Sequence, residues 1–120
     1  MPAEGLILLG HGARDPRWAE PMQRMRGRVA DALPHVAVEL AFLEIMSPSP
    51  AFAAERLVEA GARRIVVVPV FLGQGGHTKE DLPKLVAKAR EQHPAVEISL
   101  DAPIGEQPSV IEAIAAAIAK

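Results

Sequence analysis

Residues 63–78 read RRIVVVPVFLGQGGHT, and the fold turns on this stretch. Ile65 to Leu72 is an almost unbroken apolar run rich in valine, bounded by two arginines and a glycine-bearing loop. A short run of that kind, enriched in β-branched residues, reads as a strand rather than a helix. Its lack of polar alternation predicts a strand over 63–72 covered on both faces, the condition of a strand inside a parallel sheet. The loop Gly73-Gln74-Gly75-Gly76 then delivers His77 just past the strand's end. Thr78 is the expected cap of the next helix, with Leu82, Leu85, Val86 and Ala89 along one side and Pro83 within about its first turn, where proline is tolerated.

The same grammar recurs outward in both directions. Gly5 to Gly10 (GLILLG) reads as a buried strand, followed by His11. A helix is expected from Pro16 to Leu33, because Trp18, Met22, Met25, Val29 and Leu33 recur at spacings of three and four; Asp15 caps it and Pro34 ends it. A second strand is expected over Val36–Glu44, then a helix capped by Ser47, opened by Pro48 and stopped by Gly61. A last strand is expected over Val96–Leu100, a loop over 101–107, and a final helix over 109–119 introduced by Pro108.

Strand and helix thus alternate four times without linker, internal repeat or low-complexity tract, which predicts one α/β domain over 1–120. The expected architecture is a three-layer open parallel four-stranded sheet in the order 2-1-3-4, a flavodoxin-like half unit. In that order strands 1 and 3 are neighbours whose outgoing helices go to opposite faces, and the crevice at their carboxyl ends is where such folds bind ligands. His11 and His77 both fall at that crevice. Adjacent strands lie about 4.8 Å apart, so two imidazoles there are within reach of one ion.

Composition narrows the classes. The chain has 120 residues, a formal net charge of -2, 49% hydrophobic and 23% charged residues, and no cysteine. Nothing in that balance points to nucleic acid or an anionic membrane. The missing cysteine removes disulfides, thiolate catalysis and Cys-ligated metal, and suits a reducing compartment. No apolar stretch approaches the roughly 20 residues of a membrane span, and Met1-Pro2-Ala3-Glu4 lacks a basic signal-peptide start, so a cytoplasmic location is expected. The glycine loop has neither the Lys-Ser/Thr pair of a phosphate loop nor dinucleotide spacing, so no organic cofactor is expected. With one Trp, three Phe and no Tyr the core rests on aliphatic residues, and pairing with a second chain would help so small a domain.

Neutral imidazole suits divalent Fe, Co, Ni, Cu and Zn, and two histidines with open remaining positions describe a site that takes an ion and releases it. Glu44, near the end of strand 2 beside strand 1, is the third candidate, as ligand or proton acceptor; the plainer reading is a rim carboxylate paired with an arginine. Gly10 and Gly12 beside His11, and the loop 73–76, let a bulky ligand approach the backbone. Arg14, Arg17, Lys79 and the helix N-termini give an acidic chain a positive rim, fit for a polycarboxylate.

The ordered set GHGARD at 10–15, Phe42-Leu43-Glu44 with Ser47-Pro48, VPVFL at 68–72 with Gly76-His77-Thr78 and Asp81-Leu82-Pro83, and Ala102-Pro103-Ile104-Gly105 resembles the short CbiX-type sirohydrochlorin chelatases over nearly the whole chain. The resemblance implies a class II chelatase inserting a divalent metal into sirohydrochlorin: Co²⁺ for cobalamin first, Fe²⁺ for sirohaem or Ni²⁺ next. It implies His11 and His77 as metal-site histidines, His11 as proton acceptor, Glu44 as the matching acidic residue, and Ser47 with the loop Leu72-Gly73-Gln74-Gly75-Gly76-His77 lining the tetrapyrrole. It also implies that short members pair as homodimers. The His-rich tract that some relatives carry is absent here.

Two rivals share part of this pattern. Mannose-type EIIA phosphotransfer carriers place a His-Gly after strand 1, which accounts for His11 but gives His77 and Glu44 no task. A tetrapyrrole or metal carrier would bind without turnover. The histidine phosphatases need Arg-His-Gly, and Gly10 precedes His11 here.

Overall fold

Four parallel strands form one sheet in the order β2-β1-β3-β4. They are β1 (Gly5–Gly10), β2 (Ala37–Phe42), β3 (Arg64–Pro69) and β4 (Glu97–Leu100), and the helices between and after them are α1 (Ala19–Ala32), α2 (Pro50–Glu59), α3 (Gly76–Gln92) and α4 (Pro108–Ile118). The computed structural model describes residues 4–120, and of His77 the backbone alone. In register, Leu8 of β1 stands between Leu40 and Val68, and Ile65 of β3 lies beside Ile98 of β4.

Side-chain alternation sorts the core into two layers. On one face, α2 and α3 bring Leu57, Leu82 and Val86 onto Ile7, Leu9, Ile65, Val67 and Ile98. On the other, α1 brings Met22 and Val29 over Leu8, Val38, Leu40 and Phe42. The expected three layers are therefore present over β1 and β2.

Over β3 they are not. Ile65, Val67 and Pro69 are buried, whereas Arg64, Val66 and Val68 are only half-buried. Among the described residues no helix lies over that second face of β3 and β4. The last helix, α4, packs chiefly on the turn that precedes it and buries none of its residues. The expectation of a strand sheltered on both faces is thus met on one face only.

Helix starts differ from the sequence reading in two places. Asp15 does cap its helix, accepting the Arg17 N–H at 2.9 Å, and a short 3-10 turn over Pro16–Trp18 leads into α1. In the stretch SPSP at 47–50, however, the cap is Ser49, whose Oγ accepts the Phe52 N–H at 3.2 Å, not Ser47. The Pro48 carbonyl is already engaged, accepting the Phe42 N–H at 2.9 Å, so the chain turns back to β2 before the helix starts. In α3 the cap is Gly75, whose carbonyl accepts the Lys79 N–H at 3.0 Å, not Thr78. His77 therefore belongs to the first turn of α3. Pro83 lies inside this helix rather than in its first turn, leaving the carbonyl four residues earlier, on Lys79, without its usual donor.

Candidate active site

The site is built where strand pairing runs past the strands. Beyond β1 and β2 the Leu43 N–H donates to the Gly10 carbonyl at 2.9 Å and the Glu44 N–H to the His11 carbonyl at 3.2 Å. These two bonds bring Glu44 alongside His11. Gly12, at φ +97°, makes the closeness possible: a Cβ there would overlap the Glu44 carbonyl oxygen. On the other side of β1 the Val70 N–H donates to the Leu9 carbonyl at 2.8 Å, extending β3 toward Phe71. The His11 ring stacks on Phe71, centroids 3.9 Å apart and planes at 21°. An imidazole from the end of β1 thus rests on an aromatic ring from the end of β3, at the crevice between neighbouring strands. Phe71 is buried, so it is a fixed platform. The described hydrogen bonds leave both nitrogens of His11 unengaged, open to an ion or a proton.

His11 opens onto a cavity of about 400 Å³ walled by Trp18, Met22, Phe42, Met46 and Val70. The walls are apolar, flat or pliable; methionine adapts its shape to a ligand at little cost. Trp18 is 68% exposed although it is the chain's one tryptophan, and it stands at the mouth of this cavity. Between Glu44 and Met46 the backbone makes a tight turn in which the Met46 N–H donates to the Glu44 carbonyl at 2.7 Å, with Ile45 at φ 71°. A β-branched residue in that region is strained. The turn holds Met46 in the cavity wall and Glu44 at the rim.

The sequence-predicted residues fall as follows. His11 and Glu44 come together through their backbones, both with exposed side chains, and no ion pair joins them. Among the described residues no three His, Cys, Asp or Glu side chains cluster to hold an ion. The side chain of His77 lies outside the described residues, while its backbone stands in the first turn of α3. Ser47 borders a neighbouring open groove together with Pro48, Gln23 and Arg26, sharing the walls Phe42 and Met46 with the His11 cavity. Leu72, Gly73, Gln74, Gly75 and Gly76 do not border the His11 cavity; Leu72 is 75% exposed beyond Phe71. Arg14 is exposed next to the cavity loop. Arg17 is not a free rim charge, because its guanidinium binds both oxygens of Asp15, the shorter bond at 2.6 Å. That pair holds the Asp15 carboxyl below its ordinary value. Sequence reasoning missed Phe71, Trp18, Met22 and Met46 as site residues. The chain's one tryptophan, spaced at helical intervals from Met22 and Met25, is the signal the sequence offers.

The CbiX family model matches residues 5–120. The chain belongs to the CbiX family. Among relatives of this CbiX chain, a protein of Methanocaldococcus jannaschii named sirohydrochlorin cobaltochelatase is 37% identical over 75% of the chain and 63% of its own length. One of Bacillus subtilis named sirohydrochlorin ferrochelatase is 30% identical over 92% of the chain and 42% of its own length. The solved structure of the sirohydrochlorin chelatase SirB from Bacillus subtilis subspecies spizizenii, in complex with cobalt, superposes with a TM-score of 0.84 at 27% identity, over 98% of this chain and 50% of that one. The matched regions span from about two fifths to under two thirds of the length of these relatives. The expected α/β half unit with strand order 2-1-3-4 is therefore the observed fold, shared with a chelatase structure.

Proposed function

We propose that this CbiX protein is a sirohydrochlorin chelatase that inserts a divalent metal, Co²⁺ first and Fe²⁺ or Ni²⁺ as alternatives, into the polycarboxylate macrocycle. The supporting observation is the His11 ring stacked on Phe71 at the mouth of an apolar cavity, its nitrogens unengaged. Relatives named for cobalt and for iron support both metals. Histidine sites bind all three ions, so supply in the cell would decide.

Insertion exchanges two pyrrole N–H protons for one M²⁺. In this reading His11 and His77 present the ion as substrate, with Glu44 beside His11 as the third ligand or as a base. His11 accepts one of the two protons as the ion leaves it for the ring nitrogens, and Glu44 or water takes the other. Trp18, Met22 and Met46 offer the apolar surface on which a flat ring lies. Ser47 in the adjoining groove and the loop Leu72-Gly73-Gln74-Gly75-Gly76 beyond Phe71 would meet the parts of the ring that extend past the cavity, and Arg14 its carboxylates. A cavity of about 400 Å³ is near the small end of the ligand-pocket range, so a macrocycle would extend beyond it. A second chain, completing a homodimer, would cover the remainder. The proposal treats residues 1–120 as one domain and the setting as cytoplasmic, supported by a cysteine-free sequence. Among the described residues no helix is long and apolar enough to cross a membrane.

Anaerobic incubation with sirohydrochlorin and each metal in turn, followed by absorbance, tests the reading. Turnover above the uncatalysed rate, lost in His11→Ala and in His77→Ala, is expected. Stoichiometric binding without turnover would make the protein a carrier instead, and full activity in both variants would end the assignment. A mass increase of one phosphoryl group on incubation with a phosphodonor would favour the phosphotransfer alternative.

A further inference from the structure

Two thioether sulfurs belong to the walls of the cavity beside His11, and a divalent ion has no use for them. The chain has four methionines and no cysteine. Met22 from α1 and Met46 from the turn after β2 both border the cavity onto which His11 opens. Both are half-buried and pack on one cluster that includes Leu8, Leu40 and Phe42. The end of Met22 reaches the backbone one residue before His11: a Cβ built on Gly10 would meet Met22 Cε at 3.2 Å. Glycine at position 10 thus leaves the room that the methionine fills.

Met46 is held in place at a cost. Ile45 before it stands at φ 71°, where a β-branched residue is strained, and its own side chain is 65% exposed. Ile45 therefore gains little from its conformation, whereas the Met46 side chain is turned toward the cavity. Strained backbone of this kind concentrates at ligand sites. As a surface for a flat ring, leucine at 22 and 46 would serve as well. What methionine adds is a neutral, soft donor atom, and such donors select Cu⁺ rather than divalent ions. Imidazole binds both kinds of ion. The apolar walls favour the smaller charge, because bringing an ion out of water grows costlier as its charge rises. Trp18 at the mouth offers an indole face, which attracts a cation.

We propose that Met22, Met46 and His11 form a site for one soft monovalent cation, Cu⁺, with Ag⁺ as its redox-stable analogue, and that Trp18 closes over it. Neither thioether has a proton to lose, and no electron moves, so the ion keeps its single charge. The site shares only His11 with the divalent-ion role proposed above and draws its other donors from the opposite class. A bound Cu⁺ would occupy the cavity and His11 together, and so block metallation. Binding itself needs neither sirohydrochlorin nor turnover, so its test stands apart from chelatase activity.

Trp18 is the chain's one tryptophan, so its fluorescence reports on this cavity alone. Titration with Ag⁺ as the nitrate, in chloride-free buffer, is expected to quench it at one ion per chain with a Kd at or below about 1 µM. Anaerobic competition against a chromophoric Cu⁺ chelator is expected to give the same stoichiometry for Cu⁺. Met22→Leu and Met46→Leu keep volume and apolarity, so each should weaken binding at least about 10-fold with circular dichroism unchanged, and His11→Ala should weaken it as much. Met25→Leu is the control, because Met25 borders a separate groove with Arg24 and Arg28, and its affinity should hold. In the unsubstituted protein, isotope-labelled methyl resonances of Met22 and Met46 should shift on adding Ag⁺, and that of Met25 should not. Absence of quenching at tens of micromolar Ag⁺ would overturn the proposal. So would full affinity in either cavity-methionine variant or in His11→Ala, an equal loss in Met25→Leu, or unshifted Met22 and Met46 methyl signals.

Discussion

Replacing Gly12 by alanine isolates the approach that brings His11 and Glu44 together. The residue sits at φ +97°, and the added methyl would overlap the Glu44 carbonyl oxygen. The left-handed backbone costs an L-residue about 1–2 kcal/mol. Relieving the overlap means parting the loops, which sacrifices the Glu44 N–H to His11 carbonyl bond. Such a bond contributes on the order of 1 kcal/mol. The expected destabilisation is therefore about 2–3 kcal/mol, and at roughly 3–6 °C per kcal/mol for a chain of this size the melting temperature should fall by roughly 6–18 °C. Thermal unfolding followed by circular dichroism measures it. Gly27→Ala in α1 is the matched control, since a methyl there meets nothing within 4 Å. That change should raise stability by about 0.5–1 kcal/mol. Metallation by Gly12→Ala should slow even at temperatures where the protein stays folded, because His11 and Glu44 separate. A melting temperature within about 2 °C of wild type would show that Gly12 does not hold the two loops together.

Phe71→Leu keeps an apolar side chain but removes the stacking surface beneath His11; stability should change by less than about 1.5 kcal/mol while the turnover number drops, and an unchanged turnover number would deny Phe71 its positioning role. Trp18→Ala should leave the melting temperature nearly unchanged, because the side chain is 68% exposed, yet raise the KM for the macrocycle, as steady-state kinetics would reveal. The Asp15–Arg17 pair lowers the Asp15 pKa, first through the side-chain bond and then through the backbone bond. Its contribution to stability is thus fully present above the unfolded carboxylate value near 4 and lost as pH falls through the lower folded value. Melting curves of Asp15→Asn and wild type should converge in that acid range, and a gap persisting at the lowest pH would contradict the pairing.

Much of the fold was written locally. The run at 6–9 packs on both sides of the sheet because helices cover both faces of β1, and that need is visible as unbroken apolarity; the run at 65–68 looks the same in sequence, yet only Ile65 and Val67 are buried. The alternation with helical spacing between such runs implies parallel crossovers, and the order 2-1-3-4 expected of a flavodoxin-like unit is the one observed. His11 and Glu44 were legible because strand ends are where this architecture gathers ligands. Helix starts were less so. SPSP at 47–50 offers two serines, each followed by proline, and only the tertiary bond between Phe42 and Pro48 selects the second. Glycines at 75 and 76 argue against a helix, yet α3 begins there, because the start of a helix is set by where the preceding strand delivers the chain.

By itself the sequence determined the class of the fold, the edge at which the candidate site lies and the residue types present there, since apolar periodicity and strand-end histidines are local properties. Only the tertiary structure decided that the His11 ring rests on Phe71, that Gly12 admits Glu44 to its side, that Arg17 is consumed by Asp15, and that α4 leaves its own sheet bare. Each of these depends on distances between segments far apart in the chain. A pattern of apolar and polar residues shows that a surface must be covered, whereas what covers it depends on where the backbone has already been pinned.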